Sequence, residues 1–256
     1  MADRKKILWG ITEPEDKLFL SKMCDIAERS FYSGRTMFSR FLNPREIMLV
    51  KNKISGEFCV DFSGGFDGAA RCIAAFGESY EKTLYPLCAL RIRTKSRRQL
   101  SHRDCLGGVL SLGIDRAHIG DIVVTDECTV MIVTEEIRGY IEQNFIRAGN
   151  DTLLIDDFGD PAVLGAQIRY SETGMTVSSL RADCVISAFT GKSRAKAAEL
   201  IESGVCSVNY DEVRSESAHI ENGDILSVRG FGKAEIFTDG TLTKKGRIRI
   251  IIKKYI

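Results

Sequence analysis

The alternation of strand-like and helix-like segments between residues 83 and 158 constrains the fold more than any other part of the chain. LCALRIR reads as a strand, SHRDCLGGVLSLGI as a helix, and DIVVTDECTVMIV as two strands. A second helix, TEEIRGYIEQNFIRAG, and a last strand, DTLLIDDF, follow. Ser101 and Thr134 are suitable N-cap residues for the two helices. Because β-α-β-β-α-β is the ferredoxin-like order, we expect one ferredoxin-like domain here.

Many RNA-recognition domains share this order, but they stack bases on aromatic side chains of their central strands. The strand CTVMIV contains no aromatic residue, so contact with RNA through this domain would depend on charge. The run RIRTKSRRQLSHR contains no acidic residue and is either a solvated loop or a second RNA contact. Its candidate residues are Arg91, Arg93, Lys95, Arg97, Arg98, His102 and Arg103.

The flanking regions complete a predicted α+β protein with three domains. Residues 1–82 are expected to form an N-terminal α/β support domain, with a helix after Pro14 and a hairpin turning at Gly64-Gly65. Asn43 and Glu46 form a capping-box pattern for a second helix there. Residues 159–177 are rich in glycine and are expected to be a connector with a small hairpin at Gly174. Residues 178–256 are predicted to be a small α/β module.

The stretch SRAKAAELIESGVCSVN, residues 193–209, predicts a short helix whose charges oppose its dipole. Ser193 is a good N-cap residue, yet Arg194 and Lys196 occupy the first turn and Lys192 precedes them. A helix N-terminus favours acids over cations. In one interpretation, the stem of Arg194 covers the edge of the core while its head reaches water. In the other, which accounts for all three cations, this helix end binds a phosphate group.

The same residues resemble a known RNA-binding module. R-x-D at Arg181 and Asp183, followed by S-R-x-x-A-x-x-L-I-x-x-G-x-x-x-V-N from Ser193 to Asn209, resembles the module named after ribosomal small-subunit protein S-four. In that family, two helices and the next strand form a basic surface for structured RNA. Glycine often follows the asparagine, whereas Tyr210 stands here. The resemblance implies RNA contacts by Arg181, Arg194, Lys196 and Asn209.

Further segments resemble the bacterial YlmH family in the expected order. These are FLNPRE, LSHRDCLGGVLSLGIDRAHIGDI, GDILSVRGFGK and KKGRIRI. The resemblance implies a cytoplasmic protein that binds rRNA and tRNA on the large ribosomal subunit. It further implies a role in rescuing stalled nascent chains through ribosome-associated quality control. We expect no membrane partner, and we expect the protein to be a monomer.

The C-terminal tail supplies a separate argument from charge. Residues 229–256 contain eight basic and two acidic residues. Strand alternation in GRIRIII places Arg247 and Arg249 on one face and three isoleucines on the other. The charged face either meets phosphate or protects an exposed edge strand from aggregation. The candidate RNA contacts are Arg229, Lys233, Lys244, Lys245, Arg247 and Arg249.

Composition excludes several classes of protein. The chain has no apolar run long enough to span a membrane. We expect no secretory signal, because MADRKKILWG lacks the long apolar segment of one. Eight scattered cysteines without a C-x-x-C pair suit reduced thiols in the cytosol. Three isolated histidines do not supply a metal site, and no cofactor is expected. The net charge of +1 does not identify the partner.

No segment carries a convincing catalytic motif. A pseudouridine synthase needs an aspartate in an arginine-leucine-aspartate setting, and the nearest equivalent is Arg181-Ala182-Asp183. Gly230-Phe231-Gly232 is too short for the glycine-rich loop of a methyltransferase. The kinase-like triplet at His102 lacks the other kinase motifs. We therefore expect a binding protein without catalytic residues, with an RNA-modifying enzyme or a general structured-RNA chaperone as the alternatives.

Overall fold

The computed structural model describes residues 4–77, 85–167, 170–238 and 240–255. The chain divides into two compact units, Met1–Gln167 and Ile168–Ile256. Helices and antiparallel sheets occur in both, in agreement with the predicted α+β class. The predicted boundary between residues 82 and 83 lies outside the described residues.

The N-terminal part of the first unit packs helices against a three-stranded sheet. The helices are α1 (Arg4–Leu8), α2 (Pro14–Ser33) and α3 (Pro44–Lys53), and the strands are β1 (Met37–Leu42), β2 (Val60–Ser63) and β3 (Cys72–Phe76). The strand order is β1-β3-β2, and β3 pairs antiparallel with both neighbours. The predicted capping box at Asn43 and Glu46 is confirmed, as is the hairpin after Gly64-Gly65. Strand β1 was not predicted.

The rest of this unit follows the predicted element order, except that residues 147–148, predicted to lie in the second helix, form a short additional strand. The elements are β4 (Leu87–Thr94), α4 (His102–Ser111), β5 (Ile119–Val124), β6 (Thr129–Thr134), α5 (Glu135–Asn144), β7 (Arg147–Ala148) and β8 (Asp151–Asp157). They form an antiparallel sheet of order β5-β6-β4-β8-β7. Ser101 caps α4 in a complete capping box with Asp104, as predicted. Thr134 occupies the N-cap of α5, but within the described residues its side chain makes no capping hydrogen bond.

Both faces of this sheet are covered at its centre. Leu90 and Met131 belong to the core formed with α4 and α5. Ile132, whose side chain alternates with these, is also completely buried. Phe41 of β1 packs on this second face, since a Cβ built on Gly120 would lie 2.8 Å from its Cε1 atom and 3.1 Å from the Cβ of Ile132. The central strands are therefore not available for base stacking in the manner of an RNA-recognition domain.

The second unit combines two helices with a six-stranded antiparallel sheet. Its elements are β9 (Tyr170–Val177), α6 (Ala182–Thr190), α7 (Arg194–Glu202), β10 (Cys206–Val208), β11 (Asp211–Glu212), β12 (Asp224–Val228), β13 (Gly232–Phe237) and β14 (Ile248–Tyr255). The strand order is β11-β10-β12-β13-β14-β9. The predicted strand pair in GDILSVRGFGKAEI is confirmed as β12 and β13.

Two expectations for this unit need correction. Residues 170–177, predicted to be connector with a hairpin at Gly174, form one strand that pairs with β14 along its whole length. The polar sequence of β9 gives no alternation to detect, and its partner lies more than 70 residues further along the chain. Strand β14 consequently lies between β13 and β9, so the interpretation of it as a charged edge strand is wrong.

Apolar side chains of α6, α7 and the sheet form the core of this unit. Ala197 and Ile201 of α7 are buried beside Ile186 of α6, as their helical spacing predicts. On β14, Ile250 and Ile252 are buried while Arg249 is exposed, which confirms the predicted alternation. The core thus fixes the orientation of the basic side chains on α7 and β14.

Candidate nucleic-acid interface

The N-terminal end of α7 has the local geometry that the sequence predicts. Ser193 is extended, with φ −63° and ψ 158°, and its hydroxyl accepts a hydrogen bond of 3.2 Å from the N–H of Lys196. Lys192, Ser193, Arg194 and Lys196 are all exposed. The first turn of the helix therefore presents its cations to solvent.

Asp183, in the first turn of α6, organises two of the predicted RNA-binding arginines. Nη2 of Arg194 donates a hydrogen bond of 2.5 Å to Oδ2 of Asp183. Nε and Nη2 of Arg181 donate bonds of 3.2 and 3.3 Å to the two oxygens of the same carboxylate. Burial alone would raise the pKa of the Asp183 carboxyl, but these hydrogen bonds hold it well below its usual value. The sequence placed Asp183 in a motif without predicting that it anchors Arg194.

Two of the three cations at this helix end have acidic partners. Arg194 is bonded to Asp183, although 58% of its side chain remains exposed. Lys196 forms a 2.5 Å ion pair with Glu199, one turn further along α7. Among the described residues, no acid lies within ion-pair distance of Lys192. Asp183 reaches Arg194 because α6 and α7 pack together, which periodicity along one helix does not reveal. Glu199 is instead a local partner, three residues after Lys196 on the same helix.

A groove in the second unit brings the helix end and the C-terminal strand together. This groove is a cavity of about 1200 Å³. It is lined by Arg194 of α7, by Arg247 just before β14 and by Arg249 within β14. Hydroxyl side chains of Thr176 and Ser178 lie on its wall. We call this cavity the arginine groove. Guanidinium groups and hydroxyls are typical hydrogen-bond donors to phosphate oxygens, and the groove contains three guanidinium groups with hydroxyls beside them.

The two arginines of the tail differ in how they are held. Nε of Arg247 donates a 3.0 Å hydrogen bond to Oγ1 of Thr176, and Nη2 donates a 2.6 Å bond to the carbonyl oxygen of Thr176. The guanidinium of Arg247 therefore links the start of β14 to β9. Arg249 is exposed, and no described side chain pairs with it. Thr176 was missed as a groove residue because β9 itself was not predicted.

The remaining predicted contacts of this unit are dispersed. Lys244 and Lys245 are exposed in the loop before β14, and Arg229 is exposed after β12. Lys233 lies on β13, and its ammonium nitrogen is 5.6 Å from the centroid of the Tyr210 ring. None of these four cations is among the described residues that line the arginine groove.

Asn209 has a structural role that the family resemblance did not indicate. Its Nδ2 donates a 2.7 Å hydrogen bond to Oδ1 of Asp224, and its Oδ1 accepts a 3.0 Å bond from the N–H of Ile225. The amide is thus used to hold the turn after β10 against β12. This arrangement stabilises the turn rather than presenting the amide to a ligand.

The basic run of the first unit meets acids that lie elsewhere in the chain. Arg93 forms an ion pair with Asp156 of β8, and Nε of Arg91 lies 3.6 Å from Oδ1 of the same residue. Nε of Arg98 lies 2.5 Å from Oδ2 of Asp151. The run is therefore partly neutralised, although the sequence shows no acid within it, because β8 pairs directly with β4.

The other candidate contacts of this run are exposed and have no described ion pair. They are Lys95 and Arg97 in the turn after β4, together with His102 and Arg103 in the first turn of α4. Arg97 has a φ of 62°, so its backbone is in the left-handed region. These side chains could reach a phosphate without first breaking a described ion pair.

The kinase-like triplet and the half-buried His118 both make structural contacts. Asp104, in the kinase-like triplet, accepts hydrogen bonds from the backbone N–H and the hydroxyl of Ser101, which lower its pKa. Nδ1 of His118 lies 2.8 Å from Glu136 and 3.2 Å from Oγ1 of Thr134. Among the described residues, no cluster of histidine, cysteine and acidic side chains could hold a metal ion. The eight cysteines are all free thiols.

Comparison with known proteins bears directly on the first unit. Residues 83–158 match a family described as "Putative RNA-binding domain in YlmH". This range contains the segment from β4 to β8. The chain is also 29% identical over 228 residues to the "Ribosome-associated protein quality control protein P2" of Bacillus subtilis (strain 168). That alignment covers 86% of this chain and 88% of the relative.

A solved structure, "Cell division protein ylmH from Streptococcus pneumoniae", is 19% identical to this chain with a TM-score of 0.49. It covers 58% of this chain and 94% of the other. The name of the Bacillus relative states a role in protein quality control at the ribosome and no enzymatic reaction. Across the described ranges, every helix is too short or too polar to cross a membrane.

Proposed function

We propose that this protein is a non-enzymatic RNA-binding factor of the YlmH family. In this proposal, residues 83–158 form a ferredoxin-like RNA-binding domain and residues 178–256 an S-four-type RNA-binding module. The target is structured rRNA and tRNA on the large ribosomal subunit that carries peptidyl-tRNA. The role is ribosome-associated quality control of stalled translation in the bacterial cytoplasm, performed by a monomer.

The arginine groove is the observation that carries this proposal. Arg194 reaches it from a helix end, Arg247 from the residue just before β14, and Arg249 from β14 itself. RNA affinity depends mainly on cations that neutralise successive phosphates. Hydrogen bonds hold Arg194 and Arg247 in place, so the groove offers two positioned guanidinium groups and the exposed Arg249 to neighbouring phosphates of a folded backbone.

The anchoring of Arg194 by Asp183 supports the same interpretation. A guanidinium held by a hydrogen bond loses less conformational entropy when it binds a phosphate than a freely rotating one. More than half of the Arg194 side chain remains accessible while Asp183 holds it. The acid thus orients the cation and reduces its net charge without covering it.

The ribosomal part of the proposal is supported by similarity. The relative named for ribosome-associated quality control aligns with 86% of this chain, and therefore with at least part of each compact unit. The match of residues 83–158 to a YlmH-type domain adds support for contact with RNA by the first unit. The exposed side chains of Lys95, Arg97, His102 and Arg103 are the proposed contacts there.

Sedimentation of the tagged protein through a sucrose gradient tests the ribosomal target. We expect wild-type protein to travel with large subunits and with ribosomes stalled on peptidyl-tRNA. We expect Arg249→Ala to move toward the top of the gradient, because it removes an exposed cation of the groove. Arg214→Ala is the matched control, since Arg214 is exposed in the same unit and lies outside the groove.

Wild-type protein that stays at the top of the gradient would contradict the ribosomal proposal. Sedimentation with other RNA-protein particles would instead favour a general structured-RNA chaperone. Loss of one modified nucleotide from total RNA after gene deletion, measured by mass spectrometry, would favour an RNA-modifying enzyme.

A further inference from the structure

A second cleft in the C-terminal unit lies at the turn that follows β10. Its volume is about 530 Å³, and it is lined by Ser207 of β10, Ser227 of β12 and Lys233 of β13. These three residues are cross-strand neighbours in the sheet. Tyr210 and Arg229 also line the cleft. This volume is in the range of roughly 300–1,000 Å³ that is typical of small-ligand sites.

Tyr210 has an unusual backbone conformation. Its φ is 70°, in the left-handed region that a residue with a large side chain rarely adopts. The preceding residue, Asn209, also has a positive φ of 50°, but asparagine tolerates this region. Tyrosine therefore occupies a position that glycine would occupy with less strain.

The turn does not need the tyrosine ring to hold its shape. The backbone N–H of Asn209 donates a 2.8 Å hydrogen bond to the carbonyl oxygen of Ile225, and the Asn209 side chain bonds to both Asp224 and Ile225. These bonds fix the turn through the residue before the ring. A strained residue whose local structure is secured by its neighbour points to a use for its side chain.

The ring of Tyr210 is positioned by a cation. Nζ of Lys233 is 5.6 Å from the ring centroid and 3.4 Å from the phenolic oxygen. The ring is half-buried and forms part of the cleft wall, so an aromatic surface and an ammonium group lie side by side.

The rest of the rim combines open backbone with positive charge. Gly204, Gly230 and Gly232 line the cleft, and a Cβ added at Gly230 would meet no atom within 4 Å. Arg229 is exposed beside them. Among the described residues that line the cleft, Glu212 carries the one carboxylate, whereas Arg229 and Lys233 carry two positive charges. An aromatic wall with excess positive charge suits a base and its phosphates better than an anion alone.

We propose that this cleft binds an unpaired RNA base, which stacks on Tyr210 while Arg229 and Lys233 contact the flanking phosphates. The inference rests on the proposed RNA-binding function and adds to it a preference for RNA with unpaired nucleotides. Paired bases are already stacked within their helix, so a duplex cannot offer one to the ring without unstacking it.

The test compares two fluorescein-labelled RNA probes, a hairpin with an unpaired loop and a blunt duplex with the same stem. Tyr210→Gly should weaken binding of the hairpin by about tenfold, within the range measured for loss of one base-aromatic stack. Binding of the duplex should not change. Tyr210→Phe keeps the ring and should keep the affinity for the hairpin.

The variants are chosen so that folding does not obscure the result. Glycine adopts a positive φ readily, and Tyr210→Asn is a second variant that tolerates the same backbone without a ring. Circular dichroism should show a folded protein for both. A titration of wild-type protein with ATP checks for a site that takes free nucleotides, and we expect much weaker binding than for the hairpin.

The failures of the two proposals can be told apart. If hairpin binding is weakened by Arg249→Ala but not by Tyr210→Gly or Tyr210→Asn, the stacking site is wrong and the RNA-binding function stands. If ATP binds as tightly as the hairpin, the assignment to RNA is overturned. If the wild-type protein binds neither RNA, the proposed function fails, and the inference fails with it.

Discussion

Arg194, the first residue of α7, donates a hydrogen bond of 2.5 Å to Asp183 in the first turn of α6. The bond joins a nearly buried carboxylate to an arginine that is still largely exposed. It explains how a cation is accommodated at a helix end that disfavours it, since the carboxylate offsets the repulsion from the helix dipole. It also fixes the direction in which Arg194 enters the arginine groove.

Replacing Asp183 with asparagine tests this anchor. We expect Asp183→Asn to lower the free energy of unfolding at neutral pH by about 1–3 kcal/mol, since the hydrogen bonds from Arg181 and Arg194 lose their charged acceptor. Denaturant unfolding at neutral pH measures this change. Asp126→Asn is the matched control, because Asp126 is an exposed carboxylate in the turn between β5 and β6.

The same variant should change the pH dependence of stability. The pKa of Asp183 is lowered in the folded protein, so its stabilising contribution is complete above the unfolded pKa of about 3.9. The contribution is lost as the pH falls below that value toward the folded pKa. We expect wild-type protein to lose stability more steeply below about pH 4 than Asp183→Asn does. Equal slopes for the two proteins would show that the anchor is energetically unimportant.

The two tail arginines should respond differently to truncation. Arg249→Ala should weaken RNA binding and lower the slope of log affinity against log salt by about 0.7–0.9, with unchanged stability. Arg247→Ala should also lower the melting temperature, because Arg247 donates two hydrogen bonds to Thr176. Fluorescence anisotropy at several salt concentrations, with thermal unfolding, separates these effects. An identical salt slope for Arg249→Ala and Arg214→Ala would contradict the proposed phosphate contact.

In the first unit, exposed cations should matter more than paired ones. We expect Lys95→Ala with Arg97→Gly to reduce affinity for RNA more than Arg93→Ala does. The reason is that Asp156 already neutralises much of the charge of Arg93. Glycine at position 97 suits the φ of 62°, so stability should be retained. If none of these variants alters affinity for RNA or for large subunits, the basic run is a solvated loop.

Two adjacent glycines of α4 provide a matched test of packing. A Cβ at Gly107 would meet no atom within 4 Å, so Gly107→Ala should stabilise the protein by up to about 1 kcal/mol through helix propensity. A Cβ at Gly108 would lie 2.8 Å from Cζ of the buried Phe145 ring. We expect Gly108→Ala to cost about 1–3 kcal/mol through overpacking. Thermal unfolding of the two variants compares them, and similar melting temperatures would be inconsistent with this packing.

Features set by local interactions were predictable from the sequence. The capping boxes at Asn43 and Ser101 depend on residues three positions apart, and both are present. The same holds for the alternation in β14, where burial of Ile250 and exposure of Arg249 follow directly from strand geometry. The element order between residues 83 and 158 was also predictable, because each segment there has a clear period.

Features that depend on distant parts of the chain were not predictable. Strand β9 pairs with β14, and Asp156 pairs with Arg93 across 63 residues. Neither contact leaves a mark in local periodicity. The sequence therefore overestimated the free positive charge of both basic regions and missed Thr176 in the groove wall. The conformation of Tyr210 was hidden for a similar reason, since its turn is set by hydrogen bonds to β12.

Ultraviolet crosslinking of the protein to ribosomal RNA and tRNA, followed by mass spectrometry of the crosslinked peptides, tests the central claim most directly. The groove and cleft predict crosslinks in the peptides that contain Ser178, Arg194, Tyr210 and Arg249, with the cleft crosslinks on unpaired nucleotides. Crosslinks confined to the first unit would contradict the assignment of RNA binding to the C-terminal unit. The same assignment would be contradicted if wild-type protein crosslinked no more strongly than a double variant with Arg194→Ala and Arg249→Ala.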